Sequence, residues 1–171
     1  MGFVKEPDKD QTLSRLIGQY ERELLRACCV YLRDASLAQD AVQETFLRAY
    51  RALGNFRGES SERTWLMSIA MNVCHDMRKS SWWRFVDRRV VLEELPLTVE
   101  NASETSIALM SEVMRLPHKE REAVWLYYYE DMKLREIAQA LEVTVSAVGL
   151  RLKRARARLR QALGEGEEAH G

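Results

Sequence analysis

LREIAQALEVTVSAVGLRLKRARARLR, residues 134–160, is the stretch whose reading decides the fold class. Ile137, Ala138 and Leu141 recur at helical spacing, which predicts a short amphipathic helix from Leu134 to Leu141. Glu142-Val143-Thr144 then breaks the period, and the Thr144 hydroxyl can cap a second helix. That second helix is expected to bury Val145, Val148, Leu152, Ala155 and Leu159. A small Ala138 and a β-branched Val148 suit two helices that cross closely at a steep angle, the arrangement of a helix-turn-helix. Its exposed side is then Ser146, Gly149, Arg151, Lys153, Arg154, Arg156, Arg158 and Arg160. Complementing a helix dipole needs one or two cations in the last turn. Six basic residues from Arg151 to Arg160, with no acid among them, exceed that need. They suit a helix whose first turns meet base edges and whose later turns meet phosphates.

Working outward, the rest of the chain also reads as helix. Leu13, Leu16, Ile17, Tyr20, Leu24 and Leu25 follow a 3.6-residue period. A second helix is expected to open at Ser36, with Gln39 completing a capping box, and to end at Gly54. Its buried stripe is Ala38, Val42, Thr45, Phe46, Ala49 and Leu53. Asn55 to Ser60 reads as a loop from its turn residues. A third helix has Trp65, Leu66, Ile69, Ala70, Val73 and Met77 on its apolar side, and Asn72, Asp76 and Lys79 on another face. Ser80, Ser81, Trp82, Trp83, Arg84 and Phe85 follow it. Polar side chains beside aromatics and cations suit an unstacked base, although Trp65, Trp82 and Trp83 also fit a plain core or rim role. Val90-Val91-Leu92 is one short β-branched run and implies no sheet. The expected fold is therefore all-α, with two small helical domains. Residues 1–92 form the first, 93–106 an acidic, proline-containing linker, 107–163 the second and 164–171 an acidic tail.

The 171 residues carry 26 basic and 26 acidic side chains, so the net charge is zero. Taken whole, that argues against a polyanionic partner. Resolved along the chain, it becomes +3 over residues 1–92, −5 over 93–114, +5 over 115–163 and −3 over 164–171. Two basic blocks separated by acidic ones are a cue for nucleic-acid contact. No window approaches the roughly 18 apolar residues of a membrane span, and the N-terminus lacks the apolar run of a secretory signal. Cys28, Cys29 and Cys74 are too few and too poorly spaced for a disulfide framework or a zinc knuckle. The expectation is a reduced, cytoplasmic protein without metal or cofactor. No nucleophile motif or phosphate loop appears, and His75, His118 and His170 have no ligand spacing, so no enzyme is expected. His75 is expected at the surface.

Three segments together resemble the bacterial sigma factors of the extracytoplasmic-function group, within the sigma-70 family. Asp40-Ala-Val-Gln-Glu-Thr-Phe-Leu-Arg-Ala-Tyr50 resembles the polymerase-binding part of region 2. Thr64-Trp-Leu-Met-Ser-Ile-Ala-Met-Asn72, with Asp76, Arg78 and Lys79, resembles the segment that melts and reads the −10 element. Leu116-Pro117 through Glu122, Glu136-Ile-Ala138 and Val148 through Arg160 resemble region 4, which reads the −35 element. The resemblance implies that Asp40, Gln43, Glu44 and Leu47 face the polymerase clamp helices, and that region 4 meets the polymerase flap. It implies a pocket for a flipped −10 base at Asn72, Asp76 and Lys79, with Phe56, Arg57, Trp65 and Arg78 nearby; flipping costs a few kcal/mol, which such a pocket offsets. It places Thr144, Ser146, Ala147, Arg151, Lys153, Arg154 and Arg158 at −35 DNA. It also implies core RNA polymerase, promoter DNA and an anti-sigma factor as partners, without catalysis by the chain itself. The family usually has Gly where Glu142 stands in the turn; a left-handed non-glycine residue there costs on the order of 1 kcal/mol. It often has Lys-Ser where Gly149-Leu150 stands, so direct readout at −35 is weaker here than phosphate contact. Apart from the resemblance, the residues also fit a homodimeric helix-turn-helix regulator and a ligand-binding or scaffolding bundle.

Overall fold

A computed structural model describes residues 8–80 and 103–168; the tryptophans at 82 and 83, Phe85, the run 90–92 and most of the acidic linker lie outside the described residues. Seven α-helices are described: α1 (Lys9–Leu32), α2 (Ala35–Ala52), α3 (Glu62–Lys79), α4 (Glu104–Arg115), α5 (His118–Val124), α6 (Leu134–Leu141) and α7 (Val145–Glu168). A 3-10 turn, Leu53–Asn55, follows α2, and a π-helical turn, Trp125–Tyr129, continues α5.

Local chemistry accounts for the boundaries. Asp34, two residues ahead of the expected Ser36, caps α2: its carboxylate accepts a hydrogen bond from the Leu37 N–H at 2.8 Å. A charged carboxylate at the positive end of a helix outcompetes a hydroxyl within it. The α2 helix stops at Ala52, so Gly54 sits in the 3-10 turn and is not its cap. Ser61 caps α3 and Ser103 caps α4, each through a hydroxyl accepting from the backbone three residues on. The α4 helix thus starts at Glu104, inside the stretch read as linker, and α7 runs on to Glu168, into the stretch read as tail.

The core stripes fall where periodicity put them in α2 and α6. In α3 the buried face is Leu66, Met67, Ala70, Met71, Val73 and Cys74, while Trp65, Ile69 and Met77 stand half-buried at its rim. Val145, expected in the core, is 44% exposed, because it opens the first turn of α7 ahead of the crossing with α6. Val148, Leu152 and Ala155 are buried below it.

The two helical blocks share one continuous core. The C-terminal half of α1 packs against α5, and α3 packs against α6. From Ala27 to Leu32 every residue of α1 is buried, so that end is covered on all sides. Cys28, Cys29 and Cys74 are free, buried thiols; burial pushes Cys29 up to about 12 and Cys74 well above the ordinary range.

Polar groups close the seam between the blocks. Arg121 of α5, only 2% exposed, donates through Nε to Val30 O at 2.6 Å and through Nη2 to Tyr31 O at 2.8 Å. Its Nη1 donates to Leu116 O at 2.7 Å. Val30 and Tyr31 lie in the last turn of α1, whose carbonyls have no helical partner and which has no basic residue of its own there. Glu130, also buried, accepts from the Trp125 indole at 3.1 Å and lies 3.7 Å from Arg26 and 3.5 Å from Arg63.

Candidate nucleic-acid and polymerase interfaces

The α2 residues assigned to polymerase occupy one helix face. Asp40, Gln43 and Leu47 are exposed, and Leu47 shows 52% of its surface. Glu44 is half-buried and accepts a hydrogen bond from Arg48 Nε at 3.0 Å. Arg48 also reaches across to Asp76 of α3 at 3.1 Å. Sequence reasoning missed Arg48, whose spacing from Glu44 was the available signal.

The −10 residues separate into two groups along α3. Phe56 stacks on Trp65 with ring centroids 4.5 Å apart, beside a cavity of about 480 Å3. Lys9, Thr12, Arg15 and Glu62 line that cavity too, and Arg15 pairs with Glu62 at 2.7 Å. The α1 residues here were not read from sequence, because their periodicity signals only the opposite, apolar face. Asn72, two turns further along α3, is half-buried, and Asp76 is exposed and tied to Arg48. At 1.5 Å per residue, Asn72 lies about 10 Å along the helix from Trp65. They share a face but not a cavity. Arg57 is exposed in the loop, where Gly58 takes a positive φ of 72°.

Arg78 and Lys79, at the far end of α3, turn toward the seam. They line a cavity of about 340 Å3 with His75, His118, Lys119 and Arg151. His75 is not a free surface residue: its Nε2 lies 3.0 Å from Glu122 Oε2, and its ring packs on Tyr31 at 5.1 Å. Burial, reinforced by Glu122, pushes Tyr31 up to about 12. Burial and then Arg78, Arg121 and Lys119 hold His118 down to about 4, so its ring is neutral at pH 7.

The helix-turn-helix takes the expected form. Thr144 Oγ1 accepts from the Ala147 N–H at 3.1 Å, capping α7. Glu142 occupies the left-handed region, with φ 55° and ψ 44°. Thr144, Ser146, Lys153 and Arg154 are exposed, and Ala147 is half-buried. Arg151 is drawn back to the seam, 3.4 Å from Glu122. Arg158 pairs with Glu120 at 2.9 Å, and Arg156 donates to the Tyr128 hydroxyl at 2.6 Å. Val145 and Leu150, 44% and 47% exposed, add apolar surface to the first turns, a suitable contact for a thymine methyl. No single helical period foretells that exposure.

Known proteins share this organisation. Residues 16–84 match the family model of Sigma-70 region 2, and residues 106–159 that of Sigma-70 region 4. The RNA polymerase sigma-H factor of Pseudomonas aeruginosa is 31% identical over 94% of this chain and 90% of its own length. The extracytoplasmic-function sigma factor SigM of Mycobacterium tuberculosis is 33% identical over 88% of this chain and 76% of its own. Among solved structures, CnrH in complex with the cytosolic domain of CnrY is 28% identical, with a TM-score of 0.68 over 91% of this chain and 90% of that one. The sigma factor RpoE of Bartonella quintana, solved with the anti-sigma factor NepR, shares the fold at a TM-score of 0.73 and 20% identity, over 90% of this chain and 98% of that one. With both regions present in order on one chain, the protein belongs to the sigma-70 family of RNA polymerase sigma factors, in its extracytoplasmic-function group.

Proposed function

We propose that the exposed α2 face, Asp40, Gln43 and Leu47 with Glu44 beside them, docks on the clamp helices of core RNA polymerase, while region 4 meets the flap. The chain directs the polymerase to promoters. The stacked Phe56 and Trp65, together with Arg57, receive an unstacked −10 base, and Asn72, Asp76, Arg78 and Lys79 guide the strand along α3. Thr144, Ser146, Ala147, Lys153 and Arg154 meet the −35 duplex, with Arg151 and Arg158 joining once freed from Glu122 and Glu120. The observation behind this reading is the capped N-terminal end of α7, open to solvent, with Lys153 and Arg154 exposed more than two turns further along the same helix. Catalysis belongs to the polymerase; the chain supplies specificity and works in the cytoplasm, at the nucleoid when bound. CnrH is in complex with the cytosolic domain of CnrY, and RpoE with the anti-sigma factor NepR, which supports an anti-sigma partner for this chain as well.

Run-off transcription with purified core polymerase and a promoter library tests the function. The expected result is a promoter-dependent transcript, with Asn72→Ala slowing open-complex formation while polymerase binding is unchanged. Tight binding of the isolated protein to a palindromic operator, with no transcript from any promoter, would favour a homodimeric regulator instead.

A further inference from the structure

The seam cavity gathers positive charge from both regions. Arg78 and Lys79 come from α3, Lys119 from α5 and Arg151 from α7, with the neutral ring of His118 beside them, around about 340 Å3. That volume is within the range of small-ligand sites. Among the described residues one carboxylate faces them, and both its oxygens are engaged: Glu122 Oε2 with His75 at 3.0 Å and Oε1 with Arg151 at 3.4 Å. Lys79 and Lys119 are exposed and have no carboxylate partner among the described residues. Like charges brought together with so little compensation repel, and an anion placed among them relieves that repulsion. Arginine and lysine in this setting favour phosphate oxygens, arginine in bidentate fashion.

We propose that this cavity is a binding site for a compact oligophosphate, whose successive phosphates bridge Arg78 and Lys79 of region 2 to Lys119 and Arg151 of region 4. A longer phosphate chain offers more oxygens to the cations of both regions, so affinity rises with chain length. Because the site exists only while the regions are docked, the ligand stabilises the docked arrangement. At a hundred times its Kd it raises the docked-to-open ratio about 100-fold. Arg78, Lys79 and Arg151 are also assigned to promoter DNA, so the bound anion withholds them from it. That consequence rests on the proposed function; the binding itself does not, and a failure to bind would leave run-off transcription untouched.

Isothermal titration of the full chain with sodium tripolyphosphate at physiological salt tests the proposal. The expected result is saturable one-to-one binding, with orthophosphate at least tenfold weaker. Lys119→Glu weakens binding tenfold or more, whereas Arg22→Glu, an equal charge change at an exposed site on α1, alters it less than twofold. His118 gives a second readout: with an anion at hand among Arg78, Lys119, Arg121 and His75, its ring resonances titrate at a higher pH than in the free protein. Absence of saturable binding would overturn the proposal. So would equal losses in Lys119→Glu and Arg22→Glu, or a loss in Arg154→Glu on the outer side of α7 with none in Lys119→Glu.

Discussion

Replacing Arg121 with Met should separate the two helical blocks without unfolding either. The side chain is 2% exposed and makes three hydrogen bonds to backbone carbonyls, two of them across the seam at 2.6 and 2.8 Å. Burial pushes its pKa down to about 9, so it is still charged at pH 7. Hydrogen bonds from a charged group contribute about 1.5–3 kcal/mol each, which makes the cross-seam pair worth roughly 3–6 kcal/mol before desolvation. Methionine avoids the cost of burying a guanidinium and fills much of its volume, which returns part of that sum. We therefore expect docking to weaken by about 3 kcal/mol, a shift of about 150-fold toward the open form at 1.4 kcal/mol per tenfold. The Val30 and Tyr31 carbonyls then turn to water, at a helix end that lacks a cation in its last turn. Small-angle scattering should record a larger radius of gyration. Native-state hydrogen exchange should show early opening of the last turn of α1. Arg115→Met is the control: Arg115 is exposed and, among the described residues, pairs with Glu112 on its own helix, and surface pairs are worth little. If Arg121→Met matches Arg115→Met in both measurements, the seam does not depend on the buried guanidinium and the reasoning fails.

Single sites carry the other expected outcomes. Glu142→Gly should stabilise the protein by about 1 kcal/mol, because φ is 55° there; a gain of about 2–4 °C in melting temperature checks it, and a fall would mean Glu142 makes an interaction worth more than its strain. His118 is held to about 4 in the folded protein, below its ordinary 6.5. The unfolded chain therefore binds the proton first, and stability falls as pH drops from about 6.5 toward 4. Urea midpoints across that window should show a shallower fall in His118→Gln, and parallel curves would contradict the assignment. Leu47→Asp, on an exposed side chain, should weaken binding to core polymerase tenfold or more with the melting temperature unchanged. Arg154→Ala should reduce the salt slope of promoter binding by about 0.9 for each phosphate its guanidinium neutralises; an unchanged slope would place Arg154 away from the backbone.

Elements whose environment is one-sided are legible in the sequence. The α6 helix buries the residues its period names, Thr144 caps α7, and α2 hides Ala38, Val42, Thr45, Phe46 and Ala49. Such helices bury one stripe and leave the opposite face to solvent, so local spacing carries the information. Legibility ended where packing covered the remaining face as well. The run Ala27 to Leu32 is buried all round because α5 covers the side that α2 and α3 leave open. His75 reads as surface along its own helix, yet Glu122, 47 residues away, holds it at 3.0 Å.

By itself the sequence determined the helical class, the order of the two regions and the helix-turn-helix, and it named the residues we propose for polymerase and DNA. Each follows from residues within a few turns of one another, where spacing and side-chain chemistry act directly. Tertiary structure alone decided which of those residues are free. It placed Arg121 on the end of α1, drew Arg151 back to Glu122, tied Asp76 to Arg48 and gathered Arg78, Lys79 and Lys119 around one cavity. Buried charges take whatever partner the packing of distant helices brings within reach, because leaving them unpaired costs more than any local preference.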